Sequence, residues 1–168
     1  RKDDKAGLVT FNEYFDTFVP ASKQVGQMQT LLENLYKQET TFGETDFSAL
    51  CGHLGKHVNK RSFLVLYTNF SNMTSLNRQL VYLQQLARQH RVLVVFFEDA
   101  DLKEYIAGKS VTTEDYYRHV IAEKFAFEKR LIVSTLKQHG IYSLLTTPDK
   151  LSIDVINKYL EMKSRQLL

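Results

Sequence analysis

Cys51, His53 and His57 lie within seven positions of one another and are of the types that most often do chemistry. Two histidines four apart share one face of a helix, which is the spacing of a zinc-binding pair. The interval between them holds Leu54 and Lys56 but no Glu. The His-Glu-x-x-His arrangement of metalloproteases is therefore missing, and a positive Lys beside the pair opposes a metal cation. Cys51 and His53, two apart, point in different directions on a helix and make a poor nucleophile and base. Cys51 falls on the apolar face and reads as packing. A second group lies at the ends of predicted strands: Thr68, Asn69, Phe70, Ser71 and Asn72 after one, Glu98, Asp99 and Asp101 after another, with Asn12-Glu13 and Thr146-Thr147 beside them. Open α/β sheets bind their ligands beyond the carboxyl ends of the parallel strands. This polar, mildly acidic rim could receive a cation or a basic partner surface; structurally, Asp101 would cap a helix and Glu98 and Asp99 would be solvated loop residues.

Other chemistries find less material. Neither Gly-x-Gly-x-x-Gly nor a phosphate loop ending Gly-Lys-Ser/Thr occurs. The pairs Lys60-Arg61, His90-Arg91 and Lys129-Arg130 flank strands or lie on a helix with no basic, aromatic-interleaved strand, so solvation accounts for them and nucleic acid is not the expected partner. Tyr116, Tyr117, Phe125 and Phe127 exceed one narrow stripe of a long helix; any that are exposed would form a partner surface.

The elements that must position these residues follow from periodicity. Residues 8–11 and 14–19 read as a hairpin with the second strand at an edge. Pro20-Ala21-Ser22 should end that strand and cap a helix whose Val25, Met28, Leu31, Leu32, Leu35 and Tyr36 form a buried stripe. A second helix starts near Thr45-Asp46, with Thr45 as N-cap, and presents Phe47, Leu50, Cys51, Leu54 and Val58. Residues 63–67 and 92–97 are continuously apolar, as strands covered on both faces are, and the helix between them, over 75–89, makes a βαβ unit. Asp101-Leu102-Lys103-Glu104 has capping-box spacing, and Thr113-Glu114-Asp115 opens a long helix towards His139, broken by Gly140. A last strand spans 141–146, Pro148 ends it, and Ser152 caps a final helix. The order predicts one α/β domain over 1–168, a doubly wound, mostly parallel sheet with one antiparallel edge strand.

Composition agrees with a globular domain: 168 residues, 43% hydrophobic and 24% charged, with a net charge of only +3. No apolar run approaches the roughly 20 residues of a membrane span, and Arg1-Lys2-Asp3-Asp4 lacks the apolar stretch of a signal peptide. A lone cysteine suits a reducing compartment, so the expectation is cytoplasmic.

Asp4-Lys5-Ala6-Gly7-Leu8-Val9-Thr10-Phe11, Glu44-Thr45-Asp46-Phe47-Ser48-Ala49-Leu50 and Phe63-Leu64-Val65-Leu66-Tyr67-Thr68-Asn69 resemble successive segments of a von Willebrand factor A-type domain. With His90-Arg91-Val92-Leu93-Val94-Val95, Gln138-His139-Gly140-Ile141 and the closing Val155 to Lys163 stretch, the chain is similar to the C-terminal half of a bacterial family, the domain of unknown function 58. That family is often encoded beside MoxR-type AAA+ ATPases. The resemblance implies a Rossmann-like fold and a non-catalytic protein-interaction module acting with such an ATPase.

Von Willebrand domains usually bind a divalent ion through Asp-x-Ser-x-Ser, a later Thr and an Asp. Here the first segment is missing, Thr45 matches the Thr, and Asn69 stands where the Asp would be. Little or no affinity for Mg2+ or Mn2+ is expected from so degenerate a set. The alternative is a metal-dependent adhesion or hydrolytic domain using Thr45, Asn69, Glu98 and Asp99, and a second alternative is single-strand nucleic-acid binding, which would weaken steeply with salt. The resemblance further implies a fragment of a longer protein, lacking the usual first strand, whose transmembrane segments would lie upstream of Arg1. An unpaired sheet edge would then invite a homodimer. Partner contacts are expected at Thr68, Asn69, Ser71, Asn72, Glu98 and Asp99.

Overall fold

The computed structural model describes residues 4–12, 15–39, 45–70, 72–98 and 112–168. The chain divides into two compact units, Arg1–Asn59 and Lys60–Leu168. Its described strands fall into a two-stranded antiparallel sheet and a three-stranded parallel sheet. The expected single sheet with an antiparallel edge strand is thus corrected: among the described residues the hairpin strands pair with each other in one sheet, and the parallel ladder of the other starts at residue 63.

In the first unit β1 (Ala6–Phe11) pairs with β2 (Phe15–Ser22) with irregular register around Gly7. A Cβ at Gly7 would lie 2.7 Å from the Val19 carbonyl oxygen, so the close approach of the two strands requires glycine there. Strand β2 runs through Pro20 to Ser22, beyond its expected stop, and the helix α1 (Gln27–Tyr36) begins after Gly26. Gln27 fastens α1 to the hairpin by donating to the carbonyls of Ala6 at 2.8 Å and Pro20 at 3.0 Å. The expected buried stripe is not observed: only Leu31 is buried, while Val25, Met28, Leu32, Leu35 and Tyr36 are exposed. Helix α2 (Phe47–His57) buries Phe47, Leu50, Cys51 and Leu54 as its spacing predicts. Its cap is Asp46 rather than Thr45: the Asp46 carboxylate accepts from the amides of Ser48 and Ala49. An Asp one position further on places its oxygen over the first free amides, and Thr45 stands outside the helix.

In the second unit β3 (Phe63–Tyr67), β4 (Arg91–Phe97) and β5 (Tyr142–Thr146) lie in sequence order, joined by α3 (Met73–Gln89) and α4 (Thr113–Gln138) and followed by α5 (Leu151–Ser164). Both crossovers step the same way, so the right-handed rule puts α3 and α4 on one face, where they touch each other. Helix α5 covers the other: Tyr159 meets Phe63 with ring centroids 5.8 Å apart, and Arg91 Nε donates to the Leu167 carbonyl at 2.7 Å. Between these layers Val92 to Phe96 are buried. A continuous apolar run is the composition of a central parallel strand, and β4 is that strand. Strand β3 is an edge, and Tyr67 at its end is exposed.

Thr112 and Asp115 form the capping box that opens α4, and Gly140, at φ +71°, closes its end in the left-handed conformation. Ser152 is not the cap of α5; it lies inside the helix, after Lys150. The capping-box segment 101–104 lies outside the described residues. No helix among the described residues is long and apolar enough to cross a membrane.

Candidate functional site

At the carboxyl ends of the parallel strands, the turn after β3 is held by Lys129. Thr68 extends the β3 ladder by donating its amide to the Val95 carbonyl at 3.1 Å, and the chain then turns through Asn69 to Phe70, whose side chain is buried. Asn72 caps α3, its Oδ1 accepting from the Ser75 amide at 2.9 Å. Into this turn α4 delivers the Lys129 ammonium, which donates to Asn69 Oδ1 and, at 3.0 Å, to the Phe70 carbonyl. The ammonium lies 5.6 Å from the centre of the Phe96 ring, an arrangement that holds a cation against the sheet. Burial lowers the Lys129 pKa from its ordinary value.

The expectation that Lys129 is merely a solvated member of a basic pair is therefore corrected. Its periodicity could have revealed this. Ala122, Ile132 and Leu136 are the buried residues of α4, and 122, 129, 132 and 136 fall on one helical face. A lysine in the core stripe of a helix needs acceptors, and Asn69 and Phe70 supply them.

The other strand ends are largely structural. The Glu98 amide donates to the Thr146 carbonyl at 2.9 Å, and the buried Thr146 hydroxyl donates to Asp154 of α5 at 2.5 Å. Among the expected partner residues, Thr68, Asn69 and Asn72 are gathered in the β3–α3 turn and Glu98 follows β4. Ser71 and Asp99 lie outside the described residues. Thr45 and Asn69, the two degenerate metal positions, belong to different units. Asn69 offers its oxygen to an ammonium, and among the described residues no group of three or more His, Cys, Asp or Glu is placed to hold a metal.

The length of α4 adds a surface to this rim. The helix is 26 residues long, about 39 Å, against about 23 Å for the seven residues of β4. It runs back from the carboxyl end of β4 towards the start of β5, and Lys129 marks the level of the strand ends. The residues from Thr113 to that point form an N-terminal arm of the helix roughly 24 Å long, along which Ala122 is buried. On this arm Tyr116, Tyr117, Val120, Ile121 and Phe125 are exposed, with Tyr117 at 66%. The expected aromatic exposure is thus observed, and Phe127 shares it.

Cys51 is not a nucleophile poised for reaction. It is buried, and burial followed by the nearby Asp46 charge pushes its thiol up to about 11, so the protonated form prevails at neutral pH.

The family model described as "Protein of unknown function DUF58" matches residues 1–113. The segments around Gln138 to Ile141 and Val155 to Lys163 lie beyond that match. No curated protein and no solved structure matches the chain.

Proposed function

The chain belongs to the DUF58 family, and from this we propose a non-catalytic protein-docking module that binds its partner through the strand-end rim and the exposed apolar side of the N-terminal arm of α4. The exposed apolar run Tyr116, Tyr117, Val120, Ile121 and Phe125 carries this reading. Contiguous large apolar side chains left in water favour burial against a partner, and aromatic residues supply most of the energy of such contacts. The partner suggested by the family resemblance is a MoxR-type AAA+ ATPase. The Lys129 bonds to Asn69 and Phe70 support the same reading, because they give the rim one defined shape beside the arm.

The test is binding of the neighbouring MoxR-type ATPase, measured by calorimetry. Tyr117→Ser and Phe125→Ser should each weaken it by about 30-fold, the effect of a residue worth roughly 2 kcal/mol, with the circular dichroism unchanged. Asn69→Ala should weaken it less. Equal affinity of all three variants and wild type would remove the rim and arm as the site.

The metal-dependent alternative fares worse because the Asn69 oxygen already serves a cation, Lys129. Heat evolved on titrating Mg2+ or Mn2+ into the chain would revive it. Self-association has its own support: β3 stands at an edge of the three-stranded sheet, and strand alternation points the backbone groups of Phe63, Val65 and Tyr67 away from β4. A monodisperse monomer in light scattering would exclude pairing through that edge.

A further inference from the structure

The first unit holds two imidazoles for which the docking surface has no use. His53 and His57 stand one turn apart on α2 with ring centroids 4.2 Å apart and planes inclined by 33°. Phe18 of β2 meets both, edge to face with His53 at 4.9 Å and tilted against His57 at 5.6 Å. These three rings join the C-terminal half of α2 to the hairpin, while Phe11 and Phe47, 5.4 Å apart, join its first turn. Nε2 of His53 is shielded from solvent, whereas His57 is exposed.

The charges around the cluster have one sign close by. On α2, Lys56 adjoins His57, and Asp46 lies two turns before His53 with its carboxylate engaged by the Ser48 and Ala49 amides. The Cys51 thiol is neutral. On β2 the ionisable residue is Asp16, exposed and accepting from the Thr10 hydroxyl, and β1 contains none. Burial first, then His57 and Lys56, lower the pKa of His53 below its ordinary value.

We propose that the His53–His57 pair stacked against Phe18 is an acid-sensitive latch between α2 and the β1–β2 hairpin. With His53 neutral the three rings pack and the latch is closed. When both imidazoles are cationic they repel across 4.2 Å, and His53 would carry its charge at a nitrogen shielded from solvent beside the Phe18 ring. The folded-state pKa of His53 is the lower one, so the latch is fully closed above about 6.5, the ordinary histidine value, and opens as pH falls through the folded value. Opening starts at the His57 end, because Phe47 still anchors the first turn.

Proton NMR of the whole chain reads the latch directly, through the ring titrations of His53 and His57 and the amide exchange of α2 corrected for intrinsic rate. His53 should titrate below the ordinary histidine value, and exchange protection over residues 50–57 should fall about tenfold between pH 7 and pH 5. His57→Gln keeps a polar side chain but removes the second charge. It should raise the His53 pKa and flatten that fall. Phe18→Leu should lower protection at every pH. A His53 pKa at or above the ordinary value, protection that does not change with pH, or an unaltered fall in His57→Gln would each overturn the proposal.

Discussion

In β4 the five consecutive side chains from Val92 to Phe96 are buried, whereas in α1 Leu31 alone is, although Met28, Leu32, Leu35 and Tyr36 accompany it. The difference lies in what surrounds each element. Strand β4 has β3 and β5 beside it and helices on both faces. Helix α1 touches β1 and β2, and part of that attachment is the polar bonding of Gln27. Apolar content sets how much burial an element can use; the number of neighbours sets how much it receives.

The sharpest way to break this comparison is truncation in both regions. Leu93→Ala should cost about 3 kcal/mol in urea unfolding, because the cavity would be enclosed by the sheet and its helices. Leu32→Ala should cost less than about 0.5 kcal/mol, as exposed substitutions do. A comparable loss for Leu32→Ala would mean that the α1 face is covered in solution, and a midpoint that rises with protein concentration would then identify a second copy as the cover.

The same contrast explains what the sequence made legible. Residues 92–97 could be recognised as a strand because an unbroken Val, Leu and Phe run fits an element enclosed on both sides. Residues 63–67 also form a strand, but the two-sided cover that their apolar run predicts is not observed, since β3 lies at an edge and buries only Leu66. The heptad-like spacing of α1 records amphipathicity, and amphipathicity is silent on whether the apolar face finds a partner. The pairing of the described strands in two sheets rather than one was hidden for a similar reason: pairing depends on edges, and alternation within a strand does not name its neighbour. The location of Thr68, Asn69 and Asn72 at a strand end followed from the extent of the apolar run before them. The role of Lys129 did not follow, since its acceptors lie about sixty residues away in sequence, yet its place on the buried face of α4 was there to be read.

A smaller effect tests whether the rim owes its shape to that lysine. Lys129→Met retains the apolar stem but removes both donated bonds. It should cost about 1.5 kcal/mol, near the bottom of the range for charged donors because the amine is only half-buried. The shifts should appear at Asn69 and Phe70 in amide spectra, with β4 little changed. Perturbation spread evenly over the sheet would make Lys129 a general packing residue instead. Smaller again, Thr112→Ala deletes the hydroxyl that accepts from the Asp115 amide at 3.1 Å and should cost about 1 kcal/mol. Because the buried residues of α4 begin only at Ala122, the loss should appear as faster amide exchange over residues 113–121 before it appears in the global midpoint.

The weakest of these probes, protonation, reaches a buried ring. His90, 2% exposed between α3 and β4, accepts the Ser62 amide proton at Nδ1 over 3.3 Å. Burial holds its pKa below the ordinary value, and the bond to Ser62 requires an unprotonated Nδ1. In the unfolded chain the ring takes up its proton near 6.5, so between that value and the lower folded one the unfolded state binds more protons and stability increases with pH. The contribution is complete above about 6.5 and is lost as pH falls through the folded value. His90→Asn can still accept from Ser62 but cannot titrate. Its urea midpoint should start lower at pH 8 and fall less steeply between pH 6.5 and pH 5. Equal slopes for variant and wild type would assign the acid sensitivity elsewhere, with His53 as the next group to substitute.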